Sequence, residues 1–216
     1  MLIRKEYIDD KDGFLGVWQI SETEEELLLL FPEEIRPDMV KAVSSLRSPR
    51  RILEWLSTRL LLFFLLDDPK KIQYKENGRP YLADGSYHIS ISHTKGFAAV
   101  LLHKTCEVGV DIEINSNRVN KIAGKFISEE EYIDDKHPVI HRLLHWSAKE
   151  TLFKLMDKEG VDFRKDLHIL PFTPCEKGIL QAIVTTDQFL NRVRIHYEVS
   201  PDYVLTWTLS SRDVAV

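Results

Sequence analysis

At 216 residues with 44% hydrophobic content, the chain is long enough to bury a substantial core, as one large domain or as two small halves. Its formal charge of −5 argues against a general nucleic-acid binder, which needs a cationic surface to displace counterions. The longest apolar runs, Leu27 to Phe31 and Leu60 to Leu66, are far shorter than the ~20 residues that span a bilayer. No membrane partner is expected.

Charges begin at Arg4, unlike a secretory signal. Two cysteines, Cys106 and Cys175, make neither a disulfide framework nor a CxxC metal site, which points to a reducing, cytoplasmic setting. Ser21-Glu22-Thr23-Glu24 then reads as a capping box opening a short helix that stops before Pro32. Ser48-Pro49 has the form of an N-cap followed by proline in the first turn. Arg50 to Leu66 follows as a helix with Leu53, Leu56, Leu60 and Phe63 or Phe64 on its apolar side, ended by Asp67-Asp68-Pro69.

Strand signals come next. Lys71 to Lys75 is a short strand, and Glu76-Asn77-Gly78-Arg79 has turn chemistry. Tyr87 to Ser92 alternates, Phe97 to His103 reads as a buried strand, and Val108 to Ile114 follows closely. Ser128 to Glu131 is a second capping-box pattern, and Pro138 to Lys158 carries the period of a long helix. Ile179 to Thr185, Arg192 to Val199 and Tyr203 to Leu209 close the chain as strands. The prediction is α+β: two similar halves, 1–105 and 106–216, packed as a pseudo-twofold pair with a site in the cleft.

Three features bear chemistry. In Val108-Gly109-Val110-Asp111-Ile112-Glu113-Ile114, a strand places Gly109, Asp111 and Glu113 on one face, where two carboxylates can share a hard cation. A solvated acidic face is the bland alternative. On the long helix, Glu150 and Lys154 lie four apart with Trp146 one turn earlier, which is either a surface ion pair or a partly buried carboxylate. Ser90-Ile91-Ser92-His93-Thr94-Lys95-Gly96 runs from a strand into a glycine turn, with groups suited to gripping phosphate or simply a polar hairpin.

No GxSxG elbow, HExxH, GxxxxGK[ST] loop or GxGxxG is present. His141 and His145 have the spacing of a helical zinc pair. Nothing between them completes a motif, so they are expected on a solvated or half-buried face.

Taken together, the order and spacing of these features resemble the 4′-phosphopantetheinyl transferases of the longer, single-chain, Sfp-like type. The resemblance rests on Gly109-Val110-Asp111-Ile112-Glu113, on Trp146-Ser147-Ala148-Lys149-Glu150 closing with Lys154, and on Ser92-His93. Gly78-Arg79-Pro80-Tyr81 and the arginines Arg50 and Arg59 match more softly. The family implies transfer of the phosphopantetheine arm of coenzyme A to a carrier-protein serine, by a monomer with coenzyme A between its two halves.

By the same resemblance, Asp111, Glu113 and Glu150 would hold magnesium, and Glu150, with Glu113 as runner-up, would take the serine proton. Lys154 and Lys149 would offset the carboxylates and reach phosphate. Arg50, Arg79, Ser92, His93 and Lys95 would line the nucleotide pocket. Arg118, Lys121 and Lys125 would meet an acidic acyl or peptidyl carrier. A magnesium-dependent nucleotide pyrophosphate hydrolase and a non-catalytic carrier-binding module are the competing readings.

Overall fold

A computed structural model describes residues 1–156, 158, 160–185 and 190–210. The chain divides into two compact units, Met1–Cys106 and Glu107–Val216. Both mix helices with antiparallel sheet, so the architecture is α+β.

In the first unit, β1 (Leu2–Ile8), β2 (Gly13–Gln19), β5 (His88–Thr94) and β6 (Phe97–His103) form a four-stranded sheet in the order β1-β2-β6-β5. Helix α3 (Pro49–Leu66) lies on β2 and β6, and α1 (Glu24–Leu29) and α2 (Arg36–Val43) pack against α3. The shared core includes Trp18, Leu27, Leu56, Leu60, Leu61 and Val100. A hairpin of β3 (Ile72–Tyr74) and β4 (Pro80–Leu82) turns through Gly78, whose φ of 82° suits glycine.

The sequence signals for α1 were offset. Thr23, not Ser21, is the N-cap, and Thr23 and Glu26 complete the capping box. The pattern Thr-x-x-Glu repeats the predicted motif two residues on. Glu22 is drawn off to accept from the Trp18 indole at 3.3 Å and to pair with the chain's terminal amine. Helix α3 stops where Asp67 adopts a left-handed conformation at φ 53°.

The second unit is a five-stranded sheet in the order β7-β11-β10-β9-β8, with one long helix across it. Its elements are β7 (Val108–Ile114), α4 (Pro138–Met156), β8 (Leu167–Ile169), β9 (Lys177–Thr185), β10 (Leu190–Val199) and β11 (Tyr203–Leu209). Two short 3-10 turns, Asn117–Lys121 and Ala123–Lys125, follow β7. Val119 is buried while Arg118, Lys121 and Lys125 stay exposed, so this segment seats an apolar side and leaves its cations outward.

Helix α4 packs on β7 and β11. A Cβ on Gly109 would stand 2.2 Å from the Thr151 carbonyl oxygen. Only glycine lets the helix backbone come that close, so Gly109 is a packing surface for α4 and not open room beside the carboxylates. With Val108, Val110 and Ile112 also buried, β7 is covered on both faces. The solvated acidic face considered above is therefore absent.

The predicted capping box at Ser128 to Glu131 does not open a helix. The Glu131 carboxylate does accept the Ser128 N–H at 2.9 Å, but the chain turns there and the carboxylate is spent on partners from α4.

Candidate active site

Residues four apart on α4 form three neighbouring rows, each with its own task. The middle row is a bolt. Ser147 Oγ lies 2.9 Å from Thr206 Oγ1, and Thr151 Oγ1 lies 2.6 Å from the same atom and donates to Thr206 O at 3.2 Å. Thr206 faces Asp111 across the β11–β7 ladder, so this contact sets α4 directly against the acidic strand.

One flanking row is Trp146, Glu150 and Lys154. Lys154 Nζ donates to Asp111 Oδ1 at 2.8 Å and to the Val110 carbonyl at 3.1 Å. Trp146 Nε1 donates to Glu113 Oε1 at 2.8 Å. Glu150 sits half-buried in the same group. Burial first, then the charge of Asp111, raise its carboxyl to about 7; Lys154 works against them and Glu113 with them. Glu150 thus feels two like charges, Asp111 and Glu113, against one opposite charge, Lys154. A cation nearby would relieve it.

The other flanking row is His141, His145 and Lys149. Lys149 is fully buried, and its Nζ donates to Phe126 O at 2.6 Å, Glu131 Oε2 at 2.7 Å and Phe163 O at 2.9 Å. An ammonium has three hydrogens, and all three are used inside the protein. The expected role of Lys149 in binding coenzyme A is corrected on this ground. Glu131, missed as a functional residue because it resembled a helix cap, also accepts from Ile169 N at 2.8 Å. Burial pushes its carboxyl up, but the neighbouring His145, Lys149 and Ile169 donors outweigh that and hold it down at about 2.

His141 and His145 are buried, not solvated or half-buried as expected. The His141 Nδ1 accepts the Asp134 N–H at 2.6 Å, which leaves the proton on Nε2, and burial lowers its pKa to about 4. The Phe172 ring packs at right angles to the His141 ring, with centroids 4.3 Å apart.

In the first unit, Glu54 on α3 draws two of the anticipated phosphate-binding groups together. Arg50 Nε donates to Glu54 Oε1 at 2.6 Å, and His93 Nδ1 lies 3.5 Å from Glu54 Oε2. Glu54 was not anticipated; its position one helical turn after Arg50 is the signal that could have found it. Ser92 is buried while its neighbour His93 is exposed, as alternation on a strand requires. Lys95 is exposed beside Gly96, and Arg79 is half-buried at the β3–β4 turn. The geometry gathers Arg50 with His93 around Glu54.

Among the described residues, the three metal-binding side chains whose donor atoms all lie within 4.8 Å of one another are Asp9, His103 and Cys106. Asp111, Glu113 and Glu150 are spread more widely. The Asp9 group is a poor metal site, because His103 Nδ1 accepts from Thr105 N and Cys106 N at 3.1 and 2.8 Å. Its proton is therefore on Nε2, facing Asp9 at 3.0 Å, and a metal there would require an imidazolate. The acidic group on β7 and α4 has the hard oxygen donors that magnesium takes, and magnesium commonly binds through one or two carboxylates with water and phosphate oxygens for the rest. Asp111, Glu113 and Glu150 fit that role by donor type and charge.

Residues 107–208 match the family model of the 4′-phosphopantetheinyl transferase superfamily, ACPS. This segment, most of the second unit, is a domain of that superfamily. The matched segment contains the whole β7–α4 site, and it supports a transferase of phosphopantetheine. Among curated proteins, none matches the chain. No helix among the described residues is long and apolar enough to cross a membrane.

Proposed function

We propose that this member of the superfamily is of the Sfp-like type. In this reading it transfers the 4′-phosphopantetheine arm of coenzyme A to a serine of an acyl, peptidyl or polyketide carrier protein, with magnesium, as a cytoplasmic monomer. The observation that carries the proposal is the acidic group inside the matched segment, where Glu150 is raised to about 7 beside Asp111 and Glu113.

The serine oxygen forms a bond to the β-phosphorus of coenzyme A, and the bond to the departing adenosine 3′,5′-bisphosphate breaks. The serine proton passes to Glu150. Lys154, anchored on Asp111 and Val110, keeps a positive charge at the edge of the group for the phosphates. Magnesium, held by Asp111, Glu113 and Glu150, would supply neutralisation of charge gathering on the phosphate oxygens. By the family resemblance, Arg50 and His93 take the 3′-phosphate, with Ser92, Arg79 and Lys95 lining the nucleotide site. The exposed Arg118, Lys121 and Lys125 meet an acidic carrier.

The test is to incubate the protein with magnesium, coenzyme A and an unmodified carrier, and to weigh the carrier. A gain of one phosphopantetheine arm is expected. Coenzyme A cleaved by water with the carrier unchanged would assign a hydrolase instead. Carrier binding without coenzyme A turnover would make the chain a binding module.

A further inference from the structure

The buried Lys149 and Glu150 are consecutive on α4, and a continuous set of contacts joins Lys149 to the acidic group. Two of the three bonds from Lys149 go to the backbone carbonyls of Phe126 and Phe163. The rings of these same two residues close on Trp146, with centroids 5.1 and 5.8 Å from it. The Trp146 indole N–H is in turn the donor that holds Glu113 Oε1 at 2.8 Å. The third bond of Lys149, to Glu131, supplies the counter-charge that lets an ammonium stay in the interior.

We propose that Lys149 is a positioning residue for the Glu113 carboxylate. By gripping the Phe126 and Phe163 carbonyls, it fixes the aromatic clasp that sets the Trp146 indole, and the indole orients Glu113 toward the ion site. This gives the first lysine of the Trp-x-x-Lys-Glu pattern a part in the reaction without contact to coenzyme A. Outer groups that orient a ligand side chain commonly govern metal affinity, by about 10–100-fold. The proposal rests on the transferase reading only for its kinetic arm.

The test compares the wild type with Glu131→Gln/Lys149→Met, which removes both buried charges together and so avoids stranding one. In the metal-free protein, the indole N–H resonance of Trp146, assigned by its loss in Trp146→Phe, is expected to move toward that of an unbonded indole. In turnover, the magnesium needed for half-maximal rate rises about tenfold, while KM for coenzyme A stays put. Phe163→Leu leaves the buried charges in place and loosens only the clasp, so it gives the same changes on a smaller scale even where the double variant folds poorly. An unmoved indole signal in both variants overturns the proposal, as does a rise in KM for coenzyme A with an unchanged magnesium requirement. A wild type that transfers no arm removes the transferase reading, and the indole measurement still decides the positioning.

Discussion

The two flanks of α4 both carry titratable side chains spaced four apart, and they treat charge in opposite ways. On the Lys149 flank, every hydrogen of the ammonium is taken and Glu131 is held ionised, at about 2. On the Glu150 flank, Lys154 bonds Asp111, and Glu150, half-buried beside Asp111 and Glu113, is raised to about 7. A satisfied buried pair holds a fold together, whereas a half-buried carboxyl raised toward neutral pH is the kind of group that functional sites use. Substitutions on the two flanks should therefore trade stability against activity in opposite senses.

The largest effect is expected from Glu150→Gln. Turnover should drop by roughly 10²–10⁴ if Glu150 takes the serine proton as proposed. Because a repelled carboxylate is replaced by a neutral amide, thermal unfolding should occur at the same temperature or higher. A variant with full activity would remove Glu150 from the mechanism.

Glu131→Ala is the counterpart on the other flank. It leaves the Lys149 ammonium buried without its counter-charge and should cost about 3–5 kcal/mol in urea unfolding. A loss under about 1 kcal/mol, typical of an exposed pair, would mean that Lys149 escapes to solvent and that the flanks do not differ as described.

The pH dependence of stability separates the flanks next. Folded His141 stays neutral down to about 4, while in the unfolded chain it takes a proton near 6.5. The unfolded state then binds more protons between those values, so this group's contribution is whole above 6.5 and is lost as pH falls toward 4. The loss is on the order of 3 kcal/mol. Glu150 works the other way: its raised carboxyl favours the folded state as pH falls from about 7 toward the usual carboxylate range. Urea unfolding of the wild type against His141→Asn across this range isolates the histidine. Parallel stability curves for the two proteins would contradict its assignment as a buried neutral base.

The smallest effect extends the comparison to the first unit, where Arg50 and His93 share Glu54 at an exposed edge. His93→Ala should weaken coenzyme A by about 1.5–3 kcal/mol, the worth of one charge-assisted contact, and leave unfolding unchanged. Calorimetric titration with coenzyme A checks it, and unaltered affinity would take His93 out of the nucleotide site.

The elements that could be read from the chain were those whose pattern had one dominant cause. Strands β6, β7 and β11 have the bounds expected from their apolar runs, and α3 and α4 start at the prolines that the N-terminal signals marked. Strands β1 and β2 were not anticipated. In β1 the charges Arg4, Lys5 and Glu6 fall on both faces of an edge strand, and β2 runs Gly-Phe-Leu-Gly-Val-Trp-Gln with no alternation, being buried along most of its length. The acidic pair on β7 and the Trp146, Glu150, Lys154 row were legible because period two and period four state which side chains share a face. Glu54, Glu131 and the burial of His141 and His145 were not, since each depends on what packs against the helix.

The sequence by itself determined the α+β class, the placement of Asp111 and Glu113 on one face of a strand, and the spacing of Glu150 and Lys154 along a helix. These are local consequences of backbone geometry. Only the tertiary structure decided that Gly109 admits α4 onto β7, that Lys149 is a buried anchor, and that Glu150 is pushed to about 7. Burial and electrostatic coupling are properties of the whole environment of a group, and segments far apart in the chain create that environment only once they pack.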